Sequence, residues 1–144
     1  ILPTDQVMEI TADIDDMNPE WYEHIISVLF KAGALDVVML PVHMKKNRLA
    51  TRLNVLAREV DFETLSEIIL RETTSLGLRY NVLNRLMLQR EIVVKETQFG
   101  PVRFKQAWSG EGNLYSKVEY DDCARIAKVH NIPIKEVYAR INAV

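Results

Sequence analysis

The chain has 144 residues, 48% hydrophobic and 26% charged, a balance typical of globular domains, and a chain of this length buries roughly 68–70% of its unfolded surface without needing a disulfide or metal to fold. One cysteine excludes an internal disulfide framework and a zinc ribbon or knuckle, and five glycines and five prolines exclude a linker or a collagen-like repeat. A net charge of −2 offers no global attraction to nucleic acid or to an acidic membrane, and no apolar run approaches the ~18 residues of a membrane span. The opening Ile-Leu-Pro-Thr-Asp-Gln has neither an initiator Met nor a signal pattern, so the expectation is a cytoplasmic chain, cut as an internal domain from a longer protein.

In chain order, Met8 to Ile14 alternates apolar and polar residues, which predicts a half-buried strand. Asn18 is a good N-cap and Pro19 a good first helical residue. The helix they open carries Tyr22, Ile25, Ile26, Leu29 and Phe30 on one stripe, and Gly33 is its stop. Asp36 to Met44 and Thr51 to Glu59 are strands joined by the polar turn Lys45-Lys46-Asn47-Arg48, and so are expected to pair as a hairpin. A second helix opens at Asp61, faces Leu65, Ile68 and Ile69 inward and ends at Gly77; Leu78 to Leu88 is a fourth strand. The order β-α-β-β-α-β is that of a ferredoxin-like, split βαβ core. Glu91 to Glu96 and Val102 to Trp108 flank a turn at 97–101. A loop at 109–113, a short strand near Leu114–Val118 and two helices, Tyr120–His130 and Ile134–Asn142, complete the chain. The expected architecture is one α+β domain over 1–144, with the ferredoxin-like core at 8–88, an added β-hairpin extension at 89–118 and a C-terminal helix pair at 119–144.

Charge is segregated. Residues 1–36 hold eight acids and one base, Lys31, whereas residues 45–58 hold five bases and no acid. The connection after the first strand and the turn between the second and third are expected at opposite ends of the sheet, so the two clusters would meet only across an oligomer interface. Asp15 and Asp16, at a strand end before a helix, either hold a hard divalent cation or complement the helix dipole. Lys45, Lys46 and Arg48 make a compact cationic patch suited to a triphosphate, or else a solvated hairpin tip. Thr73, Thr74 and Ser75 occupy a last helical turn between Arg71 and Arg79. That set of hydroxyls and guanidiniums suits phosphate oxygens; the alternative is a frayed turn with Arg71 paired to Glu67.

The remaining candidates read as structural. Cys123 is small core filler. His24, His43 and His130 have no ligand spacing among themselves. Trp21 and Trp108 suit core or interface packing more than base stacking. The last two helices look like a helix-turn-helix, but Lys135 and Arg140 against Glu136 do not make a basic reading helix. No nucleic-acid partner is expected.

Five motifs stand in order: Ile14-Asp15-Asp16-Met17-Asn18-Pro19-Glu20, Gly33-Ala34-Leu35-Asp36-Val37, Met44-Lys45-Lys46-Asn47-Arg48, Arg71-Glu72-Thr73-Thr74-Ser75-Leu76-Gly77 and Glu119-Tyr120-Asp121-Asp122-Cys123-Ala124. Together they resemble the nickel insertion protein of nickel-pincer cofactor biosynthesis (LarC), in its C-terminal domain, from Met8 to Tyr138. Leu49-Ala50 and Lys117-Val118 depart from that family's Pro-Gly and Lys-Pro.

The resemblance implies a nickel chelatase of lyase type. It inserts Ni²⁺, as the substrate metal, into a pyridinium bisthiocarboxylate mononucleotide, making the cofactor of lactate racemase in a cyclometallation that depends on CTP and Mg²⁺ or Mn²⁺. The domain is then the CTP-binding, oligomerising part, expected to bind CTP alone without completing the reaction, while nickel ligands belong partly to an N-terminal portion. Joined with the patches above, it assigns Lys45, Lys46, Arg48, Arg71, Thr73, Thr74 and Arg79 to the CTP phosphates and Asp15 and Asp16 to the divalent metal. It also implies a homo-oligomer, trimer-based and perhaps a hexamer. The competing expectation, from another class, is a non-catalytic ferredoxin-like regulatory or assembly module binding a small ligand at a subunit interface.

Overall fold

The computed structural model describes residues 2–110, 112 and 114–142, so two positions of the expected loop at 109–113 lie outside the described residues. The elements run β1 (Thr4–Ile14), α1 (Tyr22–Lys31), β2 (Asp36–Met44), β3 (Arg48–Ala57), α2 (Phe62–Glu72), β4 (Arg79–Leu86), β5 (Gln89–Thr97), β6 (Gly100–Trp108), β7 (Leu114–Val118), α3 (Tyr120–His130) and α4 (Ile134–Asn142). The α+β class, the ferredoxin-like order and the added β-strands and helix pair are as the sequence predicts. The strands divide into a four-stranded sheet, β2-β3-β1-β4, and a three-stranded sheet, β5-β6-β7. They belong to two compact units, one spanning 4–85 and the other 86–144 with 1–3.

In the first unit, alternation along β1 and β3 places Met8, Ile10, Ala12, Ile14, Leu53, Val55 and Ala57 on the face that meets the helices. There they pack with Tyr22, Ile25 and Leu29 of α1 and Leu65, Ile68 and Ile69 of α2. Each fully buried aliphatic side chain contributes about 1.5–3 kcal/mol, so this cluster fixes the sheet register. Phe30, expected on the inward stripe, is 46% exposed. Asn18 caps as expected, its Oδ1 accepting from the Glu20 amide at 3.0 Å. The first turn over Pro19–Trp21 is 3-10, not α.

Antiparallel pairing sets Ile14 beside Thr51 and Asp13 beside Arg52, with β2 pairing β3 through Met44 and Arg48. The end of β1 therefore lies at the start of β3, which corrects the expectation that the β1–α1 connection and the β2–β3 turn sit at opposite ends. In this topology β1 and β2 both flank β3 in antiparallel fashion, so they finish at the same end. Links from Asp5 to Arg85 and from Asp13 to Arg79 run β4 opposite to β1, and the α2–β4 connection joins the same end.

The hydroxyl stretch also differs from expectation. Helix α2 stops at Glu72, and Thr73 is its C-cap with extended φ −114°, ψ 170°. Threonine and serine compete with the helix for backbone hydrogen bonds. Thr73 Oγ1 donates to the Ile69 carbonyl at 2.7 Å and accepts from the Ser75 amide, so the helix ends one turn early.

In the second unit, Val102 and Val118 of the sheet pack with Cys123 and Ile126 of α3 and Val137 and Ile141 of α4. The extension and the helix pair thus share one core, with Cys123 fully buried as filler. Asp122, buried near the start of α3, accepts from the Arg103 amide at 2.8 Å and from its guanidinium at 2.8 Å. The Arg103 guanidinium hydrogen bond, and then the Arg103 amide, hold the Asp122 carboxyl below its ordinary range. Asn131, left-handed at φ 52°, turns the chain from α3 into α4.

Candidate functional site

Three connections converge at one end of the four-stranded sheet: 15–18 after β1, 45–47 between β2 and β3, and 73–78 before β4. They bring the acidic and basic clusters into contact within one chain. Arg48 Nη1 donates to Asp15 at 3.1 Å, and Thr74 Oγ1 donates to Asp16 at 2.6 Å. Asp13 accepts from Arg52 through Nε at 2.7 Å and Nη2 at 3.0 Å, and from Arg79 at 3.2 Å. The Arg52 hydrogen bond is the main reason that the Asp13 carboxyl lies below its ordinary range; burial opposes it and Arg79 adds to it.

The predicted site residues fall into three groups. Arg48, Thr74 and Arg79 are engaged with Asp15, Asp16 and Asp13. Lys45 and Lys46 stand on the turn beside them with no ion-pair partner among the described residues. Backbone geometry singles this turn out, because Lys46 at φ 61° and Asn47 at φ 58° are consecutive left-handed residues without being glycine. Arg71 points along its own helix, its Nε 3.0 Å from Glu72, whose other oxygen lies 3.6 Å from His24 Nε2. The alternative pairing of Arg71 with Glu67 is replaced by this contact. The hydroxyl proton of Thr73 is committed to the end of α2.

Sequence reasoning missed Asp13 and Arg52. Both appear in the charge tally, but only the strand register places them opposite each other. A shallow cavity of about 390 Å³ borders this network, lined by Thr11, Ala12, Asp13, Met44, Gly77, Leu78 and Arg79.

Among the described residues no three His, Cys, Asp or Glu side chains gather closely enough to hold a metal ion. Asp15 and Asp16 could offer one or two carboxylates, the number that Mg²⁺ takes when the rest of its shell is phosphate oxygen and water. That donor chemistry fits a metal delivered with a nucleotide rather than a resident ion. The surrounding cations suit phosphate oxygens, since lysine ammonium and arginine guanidinium make strong charge-assisted bonds to phosphate.

Comparison with known proteins bears on the family and the fold. Residues 2–138 match the family described as nickel insertion protein. A protein of Acetivibrio thermocellus, named pyridinium-3,5-bisthiocarboxylic acid mononucleotide nickel insertion protein, is 42% identical over 138 residues, covering 96% of this chain and 34% of that protein. A protein of Dictyoglomus thermophilum, also named for nickel insertion, is 45% identical over 132 residues, covering 92% of this chain and 34% of its own length. The chain thus spans about a third of the length of these relatives. Among solved structures, it superposes with a TM-score of 0.88 and 37% identity on the apo C-terminal domain of a cyclometallase involved in the synthesis of the NPN cofactor of lactate racemase. That match covers 96% of this chain and 95% of the other. Protein MK0293 of Methanopyrus kandleri, at TM-score 0.71 and 24% identity, shares the fold. With motifs, fold and sequence in agreement, the chain belongs to the nickel insertion protein family.

Proposed function

We propose that the three-loop end of the four-stranded sheet binds CTP with Mg²⁺ or Mn²⁺. In that role it serves the insertion of Ni²⁺ into a pyridinium bisthiocarboxylic acid mononucleotide, the substrate for which the Acetivibrio relative is named. The observation that carries the reading is the convergence of Arg48, Thr74 and Arg79 on the carboxylates Asp15, Asp16 and Asp13, with Lys45 and Lys46 on the adjoining turn. Lys45 and Lys46, without an ion-pair partner among the described residues, meet the phosphates first. Arg48 now forms an ion pair with Asp15, and Thr74 donates a hydrogen bond to Asp16. When a metal takes those carboxylates, the guanidinium and hydroxyl are freed to donate to phosphate oxygens. Arg79 is held in place by Asp13, whereas Arg71, paired with Glu72, would have to leave that carboxylate to reach a phosphate. The bound cation supplies charge neutralisation of the triphosphate. The 144-residue chain is proposed to bind the nucleotide, with the complete insertion reaction needing the remainder of the longer protein.

The test is a melting scan with CTP, ATP, GTP and UTP, each with Mg²⁺. CTP is expected to raise the melting temperature most, with a stabilisation of about 2.7 kcal/mol at a hundredfold excess over Kd. Equal shifts with all four nucleotides would overturn the cytidine assignment, and no shift with any would favour a regulatory or assembly module.

A further inference from the structure

The second unit contains a cavity that the proposed nucleotide site does not use, about 490 Å³ in volume and bordered by the sheet of β5–β7 and the end of α4. That volume lies within the ~300–1,000 Å³ of ordinary small-molecule sites. Helices α3 and α4 cover the sheet around Val102 and Val118 and leave Phe104 half-buried at the cavity wall. Lys95 Nζ lies 4.9 Å from the centroid of the Phe104 ring, so the ring face already accepts a cation. Lys95 has no ion-pair partner among the described residues. Ser116 and Asn142 line the same space, neither of them hydrogen-bonded by its side chain among the described residues. Gln98 donates to the Arg140 carbonyl at 3.2 Å, which leaves its own amide oxygen to accept. The Arg140 guanidinium is committed to Glu136.

We propose that this cavity is a second ligand site, for a flat cationic aromatic ring carrying anionic groups. A pyridinium mononucleotide is of that class, and its identification as the nickel-accepting substrate rests on the function proposed above. The pairing is chemical. The cationic ring replaces the Lys95 ammonium over the face of Phe104, and the displaced ammonium pairs with the carboxylate, thiocarboxylate or phosphate that the ring carries. Ser116 and Asn142 supply neutral hydrogen bonds to the remaining polar atoms. Such a ligand exchanges one cation–π contact for another and adds an ion pair, whereas a sugar phosphate can form the ion pair but brings no cationic ring to the Phe104 face.

The experiment titrates the 144-residue chain calorimetrically with nicotinic acid mononucleotide, a pyridinium ring bearing one carboxylate and one phosphate, and with ribose 5-phosphate as the ringless control. Saturable binding of the mononucleotide at one equivalent per chain is expected, with ribose 5-phosphate much weaker. Phe104→Leu is expected to weaken it roughly three- to thirtyfold, and Lys95→Met about tenfold. Neither variant should change CTP affinity. Lys95 is an exposed residue whose replacement leaves the core intact, so Lys95→Met decides the matter if Phe104→Leu folds poorly. Absent binding, equal binding of ribose 5-phosphate, or unchanged affinity in Lys95→Met would overturn the proposal. Mononucleotide binding in a chain that ignores CTP would leave this site standing and remove the nucleotide reading instead.

Discussion

Lys46 carries the clearest signature of a residue kept for something other than stability. Its left-handed backbone, φ 61°, costs a side-chain-bearing residue roughly 1–2 kcal/mol, which glycine avoids. Lys46→Gly is therefore expected to raise stability in urea by at most about 1 kcal/mol, part of the relief being lost to the freer unfolded chain. The same change removes a phosphate donor and should weaken CTP binding about tenfold. Paired unfolding and binding measurements read the two effects, and a fall in stability with unchanged affinity would contradict both halves. Asp13 gives a second prediction at this scale. Its carboxyl titrates below the ordinary range because Arg52 donates two hydrogen bonds to it. A depressed folded-state pKa means stabilisation that is present above the unfolded value of about 3.9 and is lost as pH falls through the folded one. Denaturation midpoints should thus drop steeply below about pH 4, and Asp13→Asn should remove part of that slope. An identical slope in the variant would show that the pairing is absent in solution. The sequence marks Lys46 as a candidate phosphate donor but hides its left-handed backbone, and Asp13 reads as any polar strand position until the register sets it beside Arg52.

At the scale of elements, helix ends decide where side chains arrive. Helix α1 closes with a Schellman arrangement, in which the Ala34 amide donates to Leu29 and the Gly33 amide to Phe30. Gly33 sits at φ 102°, and a Cβ there would come within 3.3 Å of Asp61 Oδ2. Gly33→Ala should accordingly cost about 1–2 kcal/mol in chemical denaturation, and a neutral result would mean that the turn relaxes freely. The stop was visible in sequence because only glycine takes that conformation easily. The end of α2 was misjudged by one turn, because Thr73 prefers its own backbone bond to Ile69 over continuing the helix. That early stop matters, since it releases Thr74 from the helix to reach Asp16. In the second unit the Asp122–Arg103 bonds tie the start of α3 to β6. Asp122→Ala should destabilise by about 2 kcal/mol, whereas unchanged melting would show that the pair contributes only orientation.

For the molecule as a whole, assembly remains a proposal on changed grounds. Complementary charge was to be satisfied across subunits, but Asp13, Asp15 and Asp16 find Arg52, Arg48, Arg79 and Thr74 in their own chain. Support comes instead from β2, an edge strand on which Val38, Met39 and Leu40 are each more than 40% exposed. Such an edge invites pairing, and Pro41 only partly blunts it. A trimer-based homo-oligomer is expected to cover it. Light scattering at physiological salt should give a multiple of the chain mass, and a mass near 16.6 kDa at micromolar concentration would rule this out.

The order of elements, the core positions of β1 and α2 and those of α1 apart from Phe30, and the limits of β2, β7, α3 and α4 were determined by sequence alone. Apolar periodicity and capping residues are local, and burial on one face rewards only one register. The five motifs likewise carried the family. What the tertiary structure alone decided is which charges meet. Asp13 is 39 residues from Arg52 and Asp16 is 58 from Thr74 along the chain. Contacts of that range follow from antiparallel strand order, which turns the ends of β1, β2 and α2 toward one rim of the sheet. The hydroxyls, lysines and carboxylates were all readable as residues, but their gathering into one site depended on a sheet that no single segment specifies.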